Sequence, residues 1–179
     1  MQDDQLIKQC IKRNAKAQEV LYKRYLPYLL TIIRRYGIHT SNERDVIQEI
    51  FIEIFSSLPK YDSDKGHLKT WIRTLAVHKV LKIKRRAGSL LIVDIGVHQD
   101  AKNDKLISYQ EHAPEYIYDA IKTLPTGYQT VFNLYEVDGY SHDEIAKMLN
   151  ISAAGSRSQL SRARSMLRTK LISTKSNTK

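Results

Sequence analysis

The segment from Tyr140 to Arg164 constrains this chain most, because it prescribes two short helices and the turn between them. Ser141 stands three residues before Glu144, the spacing of a capping box, in which hydroxyl and carboxylate each satisfy a free backbone N–H at a helix start. Ile145, Met148 and Leu149 then supply one apolar stripe, Asn150-Ile151-Ser152 breaks the helix, and Ser152 can cap the next. At about 100° per residue, Leu160, Ala163 and Leu167 fall on one side of the second helix, with Ala153 and Ser156. Ser158, Ser161, Arg162 and Ser165 fall roughly opposite, with Arg157 and Arg168 on the flank. Short hydroxyls and guanidinium forks suit base edges and phosphates, so the pattern outlines a helix-turn-helix whose second helix can enter a major groove. A solvated basic helix in an ordinary bundle would carry the same residues.

The rest of the chain bounds that reading. At 179 residues and 42% hydrophobic content, it holds one domain or two small ones. A formal charge of +10 favours a polyanionic partner, and DNA, RNA or an acidic membrane surface fit it equally well. The single cysteine, Cys10, excludes an internal disulfide and is compatible with a reducing cytosol. Met1-Gln2-Asp3-Asp4 is acidic where a signal peptide would be basic, and the apolar run Leu90-Leu91-Ile92-Val93 is far short of membrane-spanning length. A soluble cytoplasmic protein with no membrane insertion is expected.

Two blocks of helical periodicity flank a less regular middle. In the first, Leu6, Ile7, Cys10 and Ile11 form one stripe. Val20, Leu21, Tyr25, Leu29, Ile32, Ile33 and Tyr36 form a second, interrupted or kinked near Pro27 and closed by Gly37. Thr40-Ser41-Asn42 reads as a capping region for a helix from about Glu43 to Leu58, which stops before Pro59. Tyr61–Gly66 reads as a loop, and a further helix runs from about Leu68 to Arg86. From Ala87 to Ala113 the pattern weakens into a linker. Pro114 opens the second block, with Ile117, Ile121 and Leu124 apolar, a turn at Pro125-Thr126-Gly127 and a helix from about Tyr128 to Val137. The expected fold class is all-α: two small helical domains joined by a flexible linker, the C-terminal one containing the helix-turn-helix. The boundaries fall at 1–87, 88–113 and 114–172, with a polar tail at 173–179.

Two helices of the first block carry contrasting surfaces. Between Glu43 and Leu58, Ile47, Ile50, Phe51, Ile54 and Leu58 define a core side, while Asp45, Gln48, Glu49 and Ile52 gather opposite. That acidic, amide-bearing face with an apolar centre fits a protein-docking patch, or a solvated face with one stray apolar residue. In a basic chain, an acidic patch would repel DNA and suits a different, basic partner. Between Leu68 and Arg86, the apolar Leu68, Trp71, Ile72, Leu75, Ala76, Val80 and Ile83 interleave with Lys69, Arg73, His78, Lys79, Lys82, Lys84, Arg85 and Arg86. With His67 and Tyr61 close by, this suits a surface that tracks a phosphate backbone and stacks unpaired bases, although Trp71 fits core packing equally well.

Signals for catalysis are missing. The six histidines are scattered without metal-ligand spacing. Asp62-x-Asp64 with Gly66 has its glycine at the wrong offset for a calcium loop, and Arg73 stands where the bidentate Glu belongs. There is no Walker-type or dinucleotide glycine loop. No catalytic residue, metal ligand or cofactor is expected.

With both blocks laid out, the chain resembles a bacterial RNA polymerase sigma factor of the extracytoplasmic-function (group 4) type, over roughly Leu6–Arg86 and Pro114–Leu171. Asp45-Val46-Ile47-Gln48-Glu49-Ile50-Phe51 resembles the family's Asp-x-x-Gln-Glu-x-Phe helix, which implies that Asp45, Gln48 and Glu49, with Ile52, contact the polymerase core enzyme. Leu68-Lys69-Thr70-Trp71-Ile72-x-x-Leu75-Ala76 resembles the segment that opens the −10 element. The resemblance implies a −10 surface of Tyr61, His67, Lys69, Trp71, Arg73, His78, Lys79, Lys82, Arg85 and Arg86. Leu124-Pro125-x-x-Tyr128-x-x-Val131-Phe132-x-Leu134-Tyr135 resembles the start of the −35-binding domain, and Tyr140–Ala146 with Ser158–Arg164 matches its helix-turn-helix. The implied −35 surface is Ser152, Gly155, Arg157, Ser158, Ser161, Arg162 and Ser165.

The family often carries Asn where His78 stands and an acidic residue where Lys82 stands. Gly155, in the first turn of the second helix, costs about 1 kcal/mol of helix stability and leaves room for close backbone approach to DNA. The implied function is promoter recognition with RNA polymerase core enzyme and promoter DNA as partners. An anti-sigma factor is a common partner in the family, and the sequence does not name one. The nearest alternative is a stand-alone helix-turn-helix regulator, which leaves the acidic face around Glu49 without a role. A nucleic-acid-processing enzyme is more distant.

Overall fold

The computed structural model describes residues 3–38, 43–86 and 115–176, and among them every regular element is helical. The capping region at Thr40–Asn42, the 88–113 linker and Pro114 lie outside the described residues. The chain divides into two compact units. The first contains α1 (Asp3–Ile11), α2 (Ala15–Arg35), α3 (Glu43–Ser57) and most of α4 (Leu68–Arg86). The second contains α5 (Glu115–Lys122), α6 (Thr126–Phe132), α7 (His142–Leu149) and α8 (Ala153–Ser176).

In the first unit, Asn14 caps α2 by accepting the Ala17 N–H at 3.1 Å, and Gly37, at φ 79°, ends it in the left-handed conformation. The helix runs unbroken through Pro27, where the sequence pattern predicts an interruption or a kink. A proline within a helix removes one backbone bond and costs about 3 kcal/mol or more. Here Pro27 is exposed, while Leu21 and Tyr25 before it and Leu29, Ile32 and Ile33 after it are buried on one stripe. Burial on both sides of the proline holds the helix in one piece. A bidentate ion pair then ties the end of α2 to the start of α3: Arg34 Nε and Nη2 each donate to Glu43 at 2.8 Å. Two residues assigned to apolar stripes, Ile11 and Val20, lie 43% and 42% exposed, each at the edge of its stripe.

α4 starts where the periodicity places it and runs through Arg86, but its surroundings differ. Thr74, Leu75, Ala76 and Val77 are buried in succession, and Leu81 joins them. Burial on every side of one turn marks a central helix, which a one-face pattern does not anticipate. In the second unit, Val131, Leu134, Ile145 and Ala163 are fully buried and Leu160 and Leu167 nearly so. The helix expected from Tyr128 begins at Thr126 and ends in a widened turn, Asn133–Val137, with Asp138 N–H bonded to the Asn133 carbonyl. α8 continues to Ser176, four residues past the expected domain end at Ile172.

Candidate nucleic-acid interface

The turn between α7 and α8 is built locally. Ser141 Oγ accepts the Glu144 N–H at 3.3 Å, and the Ser141 N–H donates to Glu144 Oε2 at 2.7 Å, completing the capping box. Asn150, at φ 50° and ψ 49°, takes the left-handed conformation that ends α7. Ser152 Oγ then accepts the Gly155 N–H at 2.9 Å, capping α8. A Cβ on Gly155 would stand 3.2 Å from that same hydroxyl, so the space at Gly155 keeps the cap intact.

α8 presents two faces. Ser156, Leu160, Ala163 and Leu167 are buried, whereas Ser152, Arg157, Ser158, Ser161, Arg162 and Ser165 are exposed. Three side-chain ties hold the helix to the rest of its unit. Ser156 Oγ lies 2.9 Å from Nδ1 of His142, whose ring stacks on Tyr135 with centroids 4.4 Å apart. Arg162 Nη1 donates to the Tyr128 hydroxyl at 3.2 Å. Arg164 Nε donates to Glu136 at 2.6 Å, and its guanidinium lies over the Tyr135 ring. Of the expected −35 residues, Arg162 therefore leans on α6 while Arg157, Ser158, Ser161 and Ser165 face outward. Sequence reasoning missed His142, Tyr135 and Glu136 as the supports of this helix. They lie 14 to 29 residues from their partners on α8, a separation no local pattern reports.

The expected −10 residues are not one continuous surface. Trp71 is half-buried against Tyr61, ring centroids 5.4 Å apart at 58°, and the Tyr61 hydroxyl donates to the Gly66 carbonyl at 2.9 Å. Burial and the carboxylates of Asp3, Asp4 and Asp62 push the Tyr61 hydroxyl's pKa up, so it stays protonated as that donor. His67, Lys69, Lys82 and Arg86 are exposed, with Lys69 Nζ 4.8 Å above the Tyr28 ring. Arg73 and Arg85 are partly covered, and each has a buried Nε. Burial holds the His78 imidazole below its ordinary pKa. Lys79 turns away toward α3 and pairs with Glu49 at 2.8 Å, its side chain only 19% exposed. At 100° per residue, His67, Trp71, His78, Lys82 and Arg85 share one side of α4, opposite Lys69 and Arg73.

On α3 the expected docking residues Asp45, Gln48, Glu49 and Ile52 are all exposed, while Val46, Ile47, Ile50, Phe51 and Ile54 are buried. Ile52 is 63% exposed, the largest value among the exposed large apolar side chains of the described residues.

Comparisons with known proteins assign these units to a class. The family model "Sigma-70 region 2" matches residues 21–89, and "Sigma-70, region 4" matches residues 115–167. The chain belongs to the sigma-70 family of RNA polymerase sigma factors. Within that family it is of the extracytoplasmic-function (ECF) type. It is 26% identical to the ECF RNA polymerase sigma-E factor of Haemophilus influenzae, over 94% of this chain and 95% of that one. It is 25% identical to the ECF RNA polymerase sigma-E factor of Escherichia coli K12, over 94% of each. Two solved structures share the fold. One is the sigma factor RpoE in complex with the anti-sigma factor NepR from Bartonella quintana, with TM-score 0.53, 17% identity and coverage of 86% and 96%. The other is CnrH in complex with the cytosolic domain of CnrY, with TM-score 0.52, 21% identity and coverage of 96% and 97%. Sigma factors are regulatory proteins. Among the described residues, no helix is long and apolar enough to cross a membrane.

Proposed function

We propose that the chain docks on RNA polymerase core enzyme through Asp45, Gln48, Glu49 and Ile52 of α3, and directs the enzyme to promoters by reading two DNA elements. The observation that carries this reading is Ile52, 63% exposed amid carboxylates in a chain of net charge +10. A DNA-binding surface would not place acid there, whereas a basic protein partner would be drawn to it. Lys79 offsets part of the Glu49 charge, so Asp45 contributes the less compensated carboxylate.

The second unit reads the −35 element with Arg157, Ser158, Ser161, Arg162 and Ser165 of α8, with Ser152 and Gly155 shaping its first turn. The first unit engages the −10 element with the Tyr61–Trp71 pair and, on the same side of α4 and its approach, with His67, His78, Lys82 and Arg85, the exposed His67 and Lys82 foremost. Lys69 and Arg73 lie on the opposite side of α4, Lys79 turns to Glu49, and Arg86 is exposed in the last turn. Strand opening is driven by binding: an unpaired base held by stacking offsets the loss of its place in the duplex. Two weak DNA contacts on one chain gain affinity through effective concentration. The chain itself catalyses no step, needs no cofactor and works in the cytoplasm beside the polymerase. An anti-sigma factor is proposed as a regulatory partner, by analogy with RpoE of Bartonella quintana bound to NepR.

The test is reconstitution with core polymerase and transcription from a genomic promoter library. Initiation at a defined promoter set is the expected result, and no holoenzyme activity would defeat the reading. Asp45→Lys separates it from a regulator acting without polymerase: core binding falls while binding of the free chain to duplex DNA is retained. If Asp45→Lys leaves core binding intact, the α3 face is not the dock.

A further inference from the structure

The buried stripe of α8 is apolar except at its N-terminal end, where Ser156 is fully buried. Apolar contacts are non-directional, so Leu160, Ala163 and Leu167 chiefly fix how deeply the helix sits. The ties of Arg162 to Tyr128 and Arg164 to Glu136 are exposed and lie about two turns further along, which leaves the first turns of α8 to Ser156. A buried hydrogen bond is directional, and losing one partner leaves the other unsatisfied. The Ser156 Oγ to His142 Nδ1 contact of 2.9 Å is such a bond, and it spans the two helices of the helix-turn-helix. Its other partner is held in turn, because the His142 ring lies flat against Tyr135, at 4.4 Å and 21°. Arg157 and Ser158 follow Ser156 directly in the same turn, at the end of a recognition helix that approaches base edges.

We propose that His142 is a positioning residue for promoter reading: its bond to Ser156 sets the rotation of α8, and so the placement of Arg157 and Ser158 against DNA bases. This rests on the reading of α8 as a −35 reader. Stacking holds the imidazole in place, and the bond transmits that placement to the recognition helix. Burial, with Arg157 and Arg164 close by, holds the His142 pKa below its ordinary value, which keeps the ring neutral for stacking near pH 7.

Four full-length variants in holoenzyme test it: His142→Phe, which keeps the ring and loses the bond; Ser156→Ala; the double variant; and His142→Asn, whose amide reaches the Nδ1 position. Each selects from a pool of promoter fragments randomised over the −35 element, and each is also titrated with one duplex of scrambled sequence. In His142→Phe and in Ser156→Ala, preference for the selected sequence over the scrambled duplex falls about 3- to 10-fold, the worth of one such bond. The double variant falls no further than either single one, and His142→Asn retains most of the preference. Binding to the scrambled duplex is unchanged throughout. Additive losses, an unchanged preference in His142→Phe, or equal loss on both duplexes would each overturn the proposal. If the unaltered protein selects no sequence at all, the −35 reading itself fails, and that outcome is separate from any variant's behaviour. Should His142→Phe not fold, Ser156→Ala and His142→Asn still decide the matter.

Discussion

Ile50 and Ile52 lie two residues apart on α3, and truncating each to alanine should have opposite consequences. Ile52 is 63% exposed, whereas Ile50 is fully buried. Fully burying an isoleucine side chain is worth about 1.5–3 kcal/mol. Scaling by the exposed fraction of Ile52 leaves about 1–2 kcal/mol for docking to gain, with the retained alanine methyl favouring the lower end. At 1.4 kcal/mol per tenfold, Ile52→Ala should weaken core polymerase binding roughly 5- to 30-fold. Only the covered remainder of the side chain supports the fold, so its unfolding free energy should fall by no more than about 0.5–1 kcal/mol. Ile50→Ala removes the same atoms from a packed interior and should cost about 2–5 kcal/mol of stability. The assay pairs urea unfolding with competition for core polymerase against labelled wild-type chain. The reasoning is refuted if Ile52→Ala competes as well as wild type, or if its binding loss is matched by an equal loss of stability.

Two further perturbations probe the fold beneath the two surfaces. Ser141→Ala removes one half of the capping box and should destabilise the second unit by about 1 kcal/mol, lowering its melting midpoint by roughly 4–8 °C. An unchanged midpoint would show that the box contributes nothing beyond solvent. His78 is held below its ordinary pKa of about 6.5 by burial, so between that value and its lower folded one the unfolded chain binds the proton that the folded chain refuses. Stability should therefore be full above pH 6.5 and decline as pH falls toward the folded pKa, read as the urea midpoint at pH 7.5 and 5.5. His78→Gln should shrink that decline in the first unit. His142 shifts in the same direction in the second unit, so unit-specific probes are needed.

Helix positions were largely legible, and for a local reason. The capping box, the stop at Gly37 and the span Leu68–Arg86 depend on residues within a turn of one another, where backbone bonding and side-chain periodicity act together. The exposed faces of α3 and α8 were legible as well, because one buried stripe dictates its opposite. The sequence left open whether Pro27 interrupts or kinks α2, because its penalty is local, while the burial that keeps the helix continuous comes from residues packed along both halves of α2. Lys79 was grouped with the other cations of α4, since nothing within its helix says that it turns to Glu49, thirty residues earlier.

By itself, then, the sequence determined where helices begin, which faces they bury, and which family's motifs they carry. Each of these follows from spacing along a chain of known periodicity. Tertiary structure alone decided that α4 is covered all round its middle turn, that Lys79 is spent on α3, and that His142 holds Ser156. Those contacts depend on how helices far apart in sequence cross. The crossing is set by the shape of the whole core, which no short stretch of sequence specifies.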